Sequence, residues 1–130
     1  MQCTSLLMAE RVIRDAETGA VSIINILESI QIEALPIISR ASAYAYIEKE
    51  ESDSGDKFEI NILIKNNDKE MASHTLKIDF QGKSKTRLML NFNGIVIEQP
   101  GVLSLDLFLS KVHLGRFAVN IELRKNVTST

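Results

Sequence analysis

Leu103, Leu105, Leu107 and Leu109 take every second place, with Ser104, Asp106 and Phe108 between them. Successive side chains of a strand point to opposite faces, so this spacing predicts a strand with one core face. The same period recurs at Phe58, Ile60, Ile62 and Ile64, at Leu76, Ile78 and Phe80, at Leu88, Leu90 and Phe92, and at Phe117, Val119, Ile121 and Leu123. Five strands follow. Two further runs lack a polar face: Ile23 to Leu27, broken only by Asn25, and the stretch in which Tyr44 and Tyr46 alternate with alanines. Both are expected to be central strands, covered on each side.

The punctuation agrees with this reading. Asn66, Asn67 and Asp68 tolerate turn geometry and bond their own backbone, which predicts a hairpin there. Gln81 and Gly82 separate two strands, Asn93 and Gly94 form a tight-turn dipeptide, and Pro100 with Gly101 breaks the chain before the leucine strand. Near the start, Ala9, Val12, Ile13 and Ala16 fit a helix face, yet the segments from Arg11 to Asp15 and from Ala20 to Ile24 flank an Ala16 to Gly19 turn; the hairpin is the preferred reading. Short strands between regular turns predict an all-β fold, a single antiparallel β-sandwich of immunoglobulin-like or C2-like architecture over residues 1–125, with a loose tail at 126–130.

Size and composition narrow the class without naming an activity. A chain of 130 residues, 45% hydrophobic and 25% charged, is one ordinary globular domain. Fifteen basic against seventeen acidic residues leave a net charge of -2, which favours neither a nucleic acid nor a membrane surface as partner. Gln2, Thr4, Ser5 and Glu10 interrupt the start too early for a signal peptide, and eighteen consecutive apolar residues occur nowhere. Cys3 is the sole cysteine, so no disulfide forms within the chain and a cytoplasmic location is expected. Asn126, Val127 and Thr128 spell a glycosylation sequon that has meaning only in a secreted protein, and it is set aside.

Candidate chemistry is sparse. Glu48, Glu50, Glu51, Asp53 and Asp56 crowd one loop, and carboxylates that close could hold a hard cation, calcium above all, although the alternating pattern of a calcium loop is missing and a solvated hairpin tip is the plainer reading. Gly82, Lys83 and Ser84 look like the end of a phosphate loop, but Lys77 stands where its first glycine belongs. Lys83, Lys85 and Arg87 form a basic stripe that reads as a solvated strand face. His74 and His113 have no flanking motif and read as surface residues, and Cys3 reads as a small buried side chain rather than a nucleophile. No catalytic residue and no cofactor site is expected.

At Leu7, Met8, Ala9, Glu10, Val12, Ile13, Asp15 and Gly19, then Ser22 to Leu27 and Pro36, the chain resembles a family of short bacterial proteins of unknown function. The likeness continues through Phe92, Asn93, Gly94, Pro100 and Gly101. This resemblance implies a β-sandwich and supplies no catalytic or binding residues. The functional expectation is therefore a non-enzymatic binding module, docking a protein partner or a second copy of itself along an open sheet edge, with a metal or small-ligand site in the strand-end loops as the alternative.

Overall fold

A computed structural model describes residues 1–124. The tail expected at 126–130, with its sequon, lies outside the described residues. Nine strands run in chain order: β1 (Gln2–Arg14), β2 (Val21–Ile26), β3 (Ser29–Ile32), β4 (Ile37–Glu48), β5 (Lys57–Asn66), β6 (Lys69–Asp79), β7 (Lys85–Ile97), β8 (Gly101–Leu109) and β9 (Val112–Leu123). They form two sheets, ordered β2-β1-β4-β7 and β3-β9-β8-β5-β6. All pairs are antiparallel except β3 with β9, where Ser29 faces Asn120 and Ile32 faces Leu123. The β4–β7 pair in one sheet and the β9-β8-β5 trio in the other reproduce the B–E and G–F–C neighbours of an immunoglobulin-type sandwich. No helix among the described residues is long and apolar enough to cross a membrane.

The alternating residues meet between the sheets. Met8, Ala43, Ala45 and Ile47 from one sheet join Ile60, Ile62, Ile64, Leu103, Leu105, Leu107, Val119 and Ile121 from the other in one buried cluster. The small side chains of β4 fit because every inward place between Ala41 and Ala45 is alanine, while Tyr44 and Tyr46 point outward. The tight turn expected at residues 66–68 is present, with Asn67 and Asp68 in the left-handed region at φ 51° and 65°. The hairpin expected from Arg11 to Ile24 is present as β1 and β2 around a turn at residues 16–18.

Two expectations are corrected. Asn93 and Gly94 do not turn the chain: they lie inside β7, opposite an irregularity in the β4–β7 register between Ser39 and Ala41. A Cβ at Gly94 would come within 3.3 Å of the Ile38 side chain, so the glycine serves close approach between strands. The second correction concerns Ile23 to Leu27. Its unbroken apolar character suggested a strand covered on both sides, but β2 is an edge strand, and Ile24 and Ile26 stand 36% and 51% exposed.

One buried polar side chain ties the sheets together at one end. Asn66, at the close of β5, accepts hydrogen bonds at Oδ1 from the backbone N–H groups of Glu98 and Gln99, each at 3.0 Å. Its Nδ2 donates to the carbonyl oxygens of Gln99 and Val102 at 3.2 and 3.4 Å. The amide thus satisfies the backbone of the β7–β8 connection, which crosses from one sheet to the other. Beside it, Asn67 Oδ1 accepts from the Val102 N–H at 2.8 Å, and a Cβ at Gly101 would strike that same amide, so glycine is required there. Asn66→Ala leaves two inward-facing N–H groups unpaired and should cost about 2–4 kcal/mol in a urea melt at neutral pH; an unchanged midpoint would remove the amide from the account of this crossover.

Candidate functional site

Four of the five carboxylates of the acidic stretch lie against cations rather than against one another. Asp53 lies 2.7 Å from the α-amino group of Met1 and accepts from the Glu50 N–H at 2.9 Å. Glu50 is 3.7 Å from the same amine. Asp56 binds Lys49 Nζ at 3.1 Å, which also donates to the Gly55 carbonyl, and Glu48 binds Lys85 at 3.2 Å. Glu51 points to solvent. No three His, Cys, Asp or Glu side chains among the described residues gather in a group that could hold a metal ion. The hydrogen bond from the amine lowers Asp53 below the usual carboxylate range, and the bond from Lys49 does the same for Asp56.

The remaining sequence candidates are scattered. Cys3, on β1, is half-buried; burial raises its thiol pKa, and Sγ donates to the Ser5 carbonyl at 3.1 Å, which favours the thiol over a nucleophilic thiolate. His74 is exposed on the edge strand β6, its ring 6.0 Å from that of Phe92. After Gly82 the chain enters β7, so no helix presents its amides to a phosphate there. Lys85 and Arg87 lie on the outer face of β7, with Lys83 in the turn before it.

A pair that sequence reasoning missed lies on β8 and β9. Asp106 occupies the face of its strand turned away from the core, yet it is only 3% exposed. His113 Nε2 lies 2.8 Å from its Oδ1, while Oδ2 is buried with no hydrogen-bond partner. The imidazole packs edge-on against Phe108, ring centroids 5.1 Å apart. A register shift between Leu107 and Phe108 brings His113 alongside. Folding the sequence at Ser110 and Lys111 would have placed the histidine near Phe108, but nothing local marks Asp106 as buried. The pair links the two strands of the β8–β9 hairpin through this contact.

The most distinctive surface is the β1–β2 hairpin. Val12, Ile13, Val21, Ile23, Ile24 and Ile26 belong neither to the core cluster nor to the partly buried residues packed against it. The outer free edge of β2 reads Val-Ser-Ile-Ile-Asn-Ile, without a charge or a proline. Asn25 lies in the left-handed region at φ 55° and donates to Glu10 Oε2 at 2.7 Å, which leaves Val21 to Ile24 as the extended part of that edge. Ala9, fully buried but outside the core cluster, is enclosed between its neighbours Ile26 and Ser42.

Comparisons with known proteins report family and fold only. No curated protein matches the chain. A crystal structure of β-glucosidase from Listeria innocua in complex with isofagomine is similar at 9% identity and a TM-score of 0.44; the likeness covers 94% of this chain and 16% of that one. A family model, DUF6941, described as a family of unknown function, matches residues 4–122.

Two outcomes test these assignments. His113→Ala strips Asp106 of its partner and should lower unfolding free energy by about 1–3 kcal/mol, whereas the double change His113→Ala with Asp106→Ala should cost less than the sum of the single ones; strict additivity would mean that the 2.8 Å contact contributes nothing. The second concerns pH. Asp53 and Asp56, lowered in the folded state, stabilise it above the unfolded carboxyl value of about 3.9, and that contribution is lost as pH falls through their lower folded values. Lys85, raised by its hydrogen bond to Glu48, stabilises below the unfolded lysine value of about 10.4, and that contribution is lost as pH rises through its higher folded value. Melting temperatures should therefore fall on the acid side of about pH 4, and less steeply in Lys49→Met; an equal acid-side slope in that variant would disprove the Asp56 contribution.

Proposed function

Because the chain belongs to the DUF6941 family, whose description assigns no activity, we propose its role from its own surface: a non-enzymatic interaction module that associates through the free edge of β2, with a second copy as the occupant. The observation that carries this reading is the contrast among the four edge strands. β3 is only four residues long. β6 carries Lys69, Glu70, Lys77 and Asp79, and β7 carries Lys85 and Arg87 together with the irregularity opposite Ser39 to Ala41. Short length, charge and irregular pairing are the devices that stop an edge from adding another strand. β2 carries four apolar side chains among its six residues and no charge or proline.

An antiparallel β2–β2 pairing across a two-fold axis satisfies the backbone groups of both edges and merges two four-stranded sheets into one. It also reduces the exposure of Ile24 at the end of the extended edge. A strand from another protein could use the same edge by the same hydrogen bonds. The reading takes the compartment to be the reducing cytoplasm, where a lone Cys3 remains a thiol.

Light scattering should give a mass of twice 14.5 kDa for the native chain. Ile24→Lys places a charge on the edge and should return the monomer with its melting temperature little changed. A native chain that stays monomeric at every concentration, or a dimer that Ile24→Lys leaves intact, would be evidence against the β2 edge.

A further inference from the structure

Beside the β6–β7 turn, the outer side of the β2-β1-β4-β7 sheet holds a depression of about 550 Å³. Lys83 and Ser84 reach it from the turn, Lys85 and Arg87 from β7, and Arg14 from β1, around the ring of Tyr46 on β4. β1 parts from β4 after Ala9, and its distal half carries Arg14 there. Four cationic side chains therefore line one depression of a chain whose net charge is -2, against a single lining carboxylate, Asp79, one oxygen of which already accepts from the Gln81 N–H at 2.9 Å.

The four are not equally available. Lys85 is paired with Glu48 at 3.2 Å. Arg87 lies over the Tyr46 ring, 5.7 Å from its centroid, a cation–π contact beside the depression. Among the described residues, Arg14, Lys83 and Arg87 form no ion pair with a carboxylate. Like charges held near one another raise the local potential and are relieved by an anion placed between them. Guanidinium groups match the geometry of an oxyanion through paired N–H donors, and Ser84 lies beside them in the turn.

We infer that this depression binds a small molecule bearing a phosphoryl or similar multiply charged oxyanion group, taken by Arg14, Lys83 and Arg87. Its volume falls within the range of about 300–1,000 Å³ typical of small-molecule sites. One aromatic ring gives a wall for a flat ligand but not the succession of stacking surfaces that a nucleic acid strand requires. The site is distinct from the β2 edge and does not depend on self-association.

Calorimetric titration with inorganic pyrophosphate and, separately, citrate, in about 150 mM salt, tests it under screening that suppresses diffuse attraction. The expected result is one saturable site per chain with a dissociation constant below about 1 mM, weakened at least about tenfold by Arg14→Glu and by Lys83→Glu, and unchanged by Lys111→Glu in the remote β8–β9 turn. A preference for pyrophosphate makes the ligand phosphorylated and a preference for citrate makes it a polycarboxylate; either supports the site. The same binding in Ile24→Lys shows that it stands whether or not the chain dimerises. No saturable uptake, equal weakening by Lys111→Glu, or uptake of a single-stranded oligonucleotide without pyrophosphate would overturn the assignment. Melting curves of Arg14→Glu and Lys83→Glu, both exposed positions, confirm that lost binding is not lost folding.

Discussion

Two sheets share one dry interior, and that interior admits only every second residue of each strand. β8 meets the constraint with Leu103, Leu105 and Leu107, β5 with Ile60, Ile62 and Ile64, and β4 with alanines facing them. A slip of one residue in any of these strands would exchange its entire inward set for the outward one, so register, sheet order and the position of every surface side chain are fixed together. The polar crossover at Asn66 belongs to the same constraint. The chain passes between sheets at the edge of the interior, and the backbone N–H groups of Glu98 and Gln99 turn there to the buried amide of Asn66.

Those inward alternations were legible because they are local. The strands at Phe58, Leu88, Leu103 and Phe117, the Asn67–Asp68 turn and the β1–β2 hairpin needed only spacing and turn chemistry. What failed was decided by neighbours. Ile23 to Leu27 has the composition of a covered strand, but only sheet order reveals that β2 has a partner on one side. Asn93-Gly94 has the chemistry of a turn, but strand β4 runs alongside and holds it extended, with glycine needed for the approach of Ile38. The buried Asp106 and the convergence of Arg14 on Lys83 and Arg87 join residues far apart in sequence. No window of sequence contains them.

The acidic loop and the basic stripe differ in how far their charges are paired in the fold. The loop concentrates negative charge, yet Met1, Lys49 and Lys85 lie against four of its five carboxylates. The stripe looked like ordinary solvated lysine and arginine until Arg14 and Tyr46 were placed beside it. Charge density along a sequence is thus a poor guide to ligand binding compared with whether the charges already have partners. The hairpin makes the same point for apolar residues. Six aliphatic side chains of the hairpin lie outside the core cluster, where composition alone would have placed them inside it.

The parallel pairing of β3 with β9 bears on how the chain reaches this state. Ser29 cannot meet Asn120 until nearly everything between them has been brought into place. Hairpins such as β5–β6 and β8–β9 close short loops and can form early, whereas this ladder joins the two paired strands that lie farthest apart in sequence. A topology so dominated by distant contacts places the protein among the slow folders, on a scale of about milliseconds to seconds. During that interval β3 and the apolar hairpin before it are exposed together, and an uncharged strand edge of this kind is a hazard for misassociation while folding.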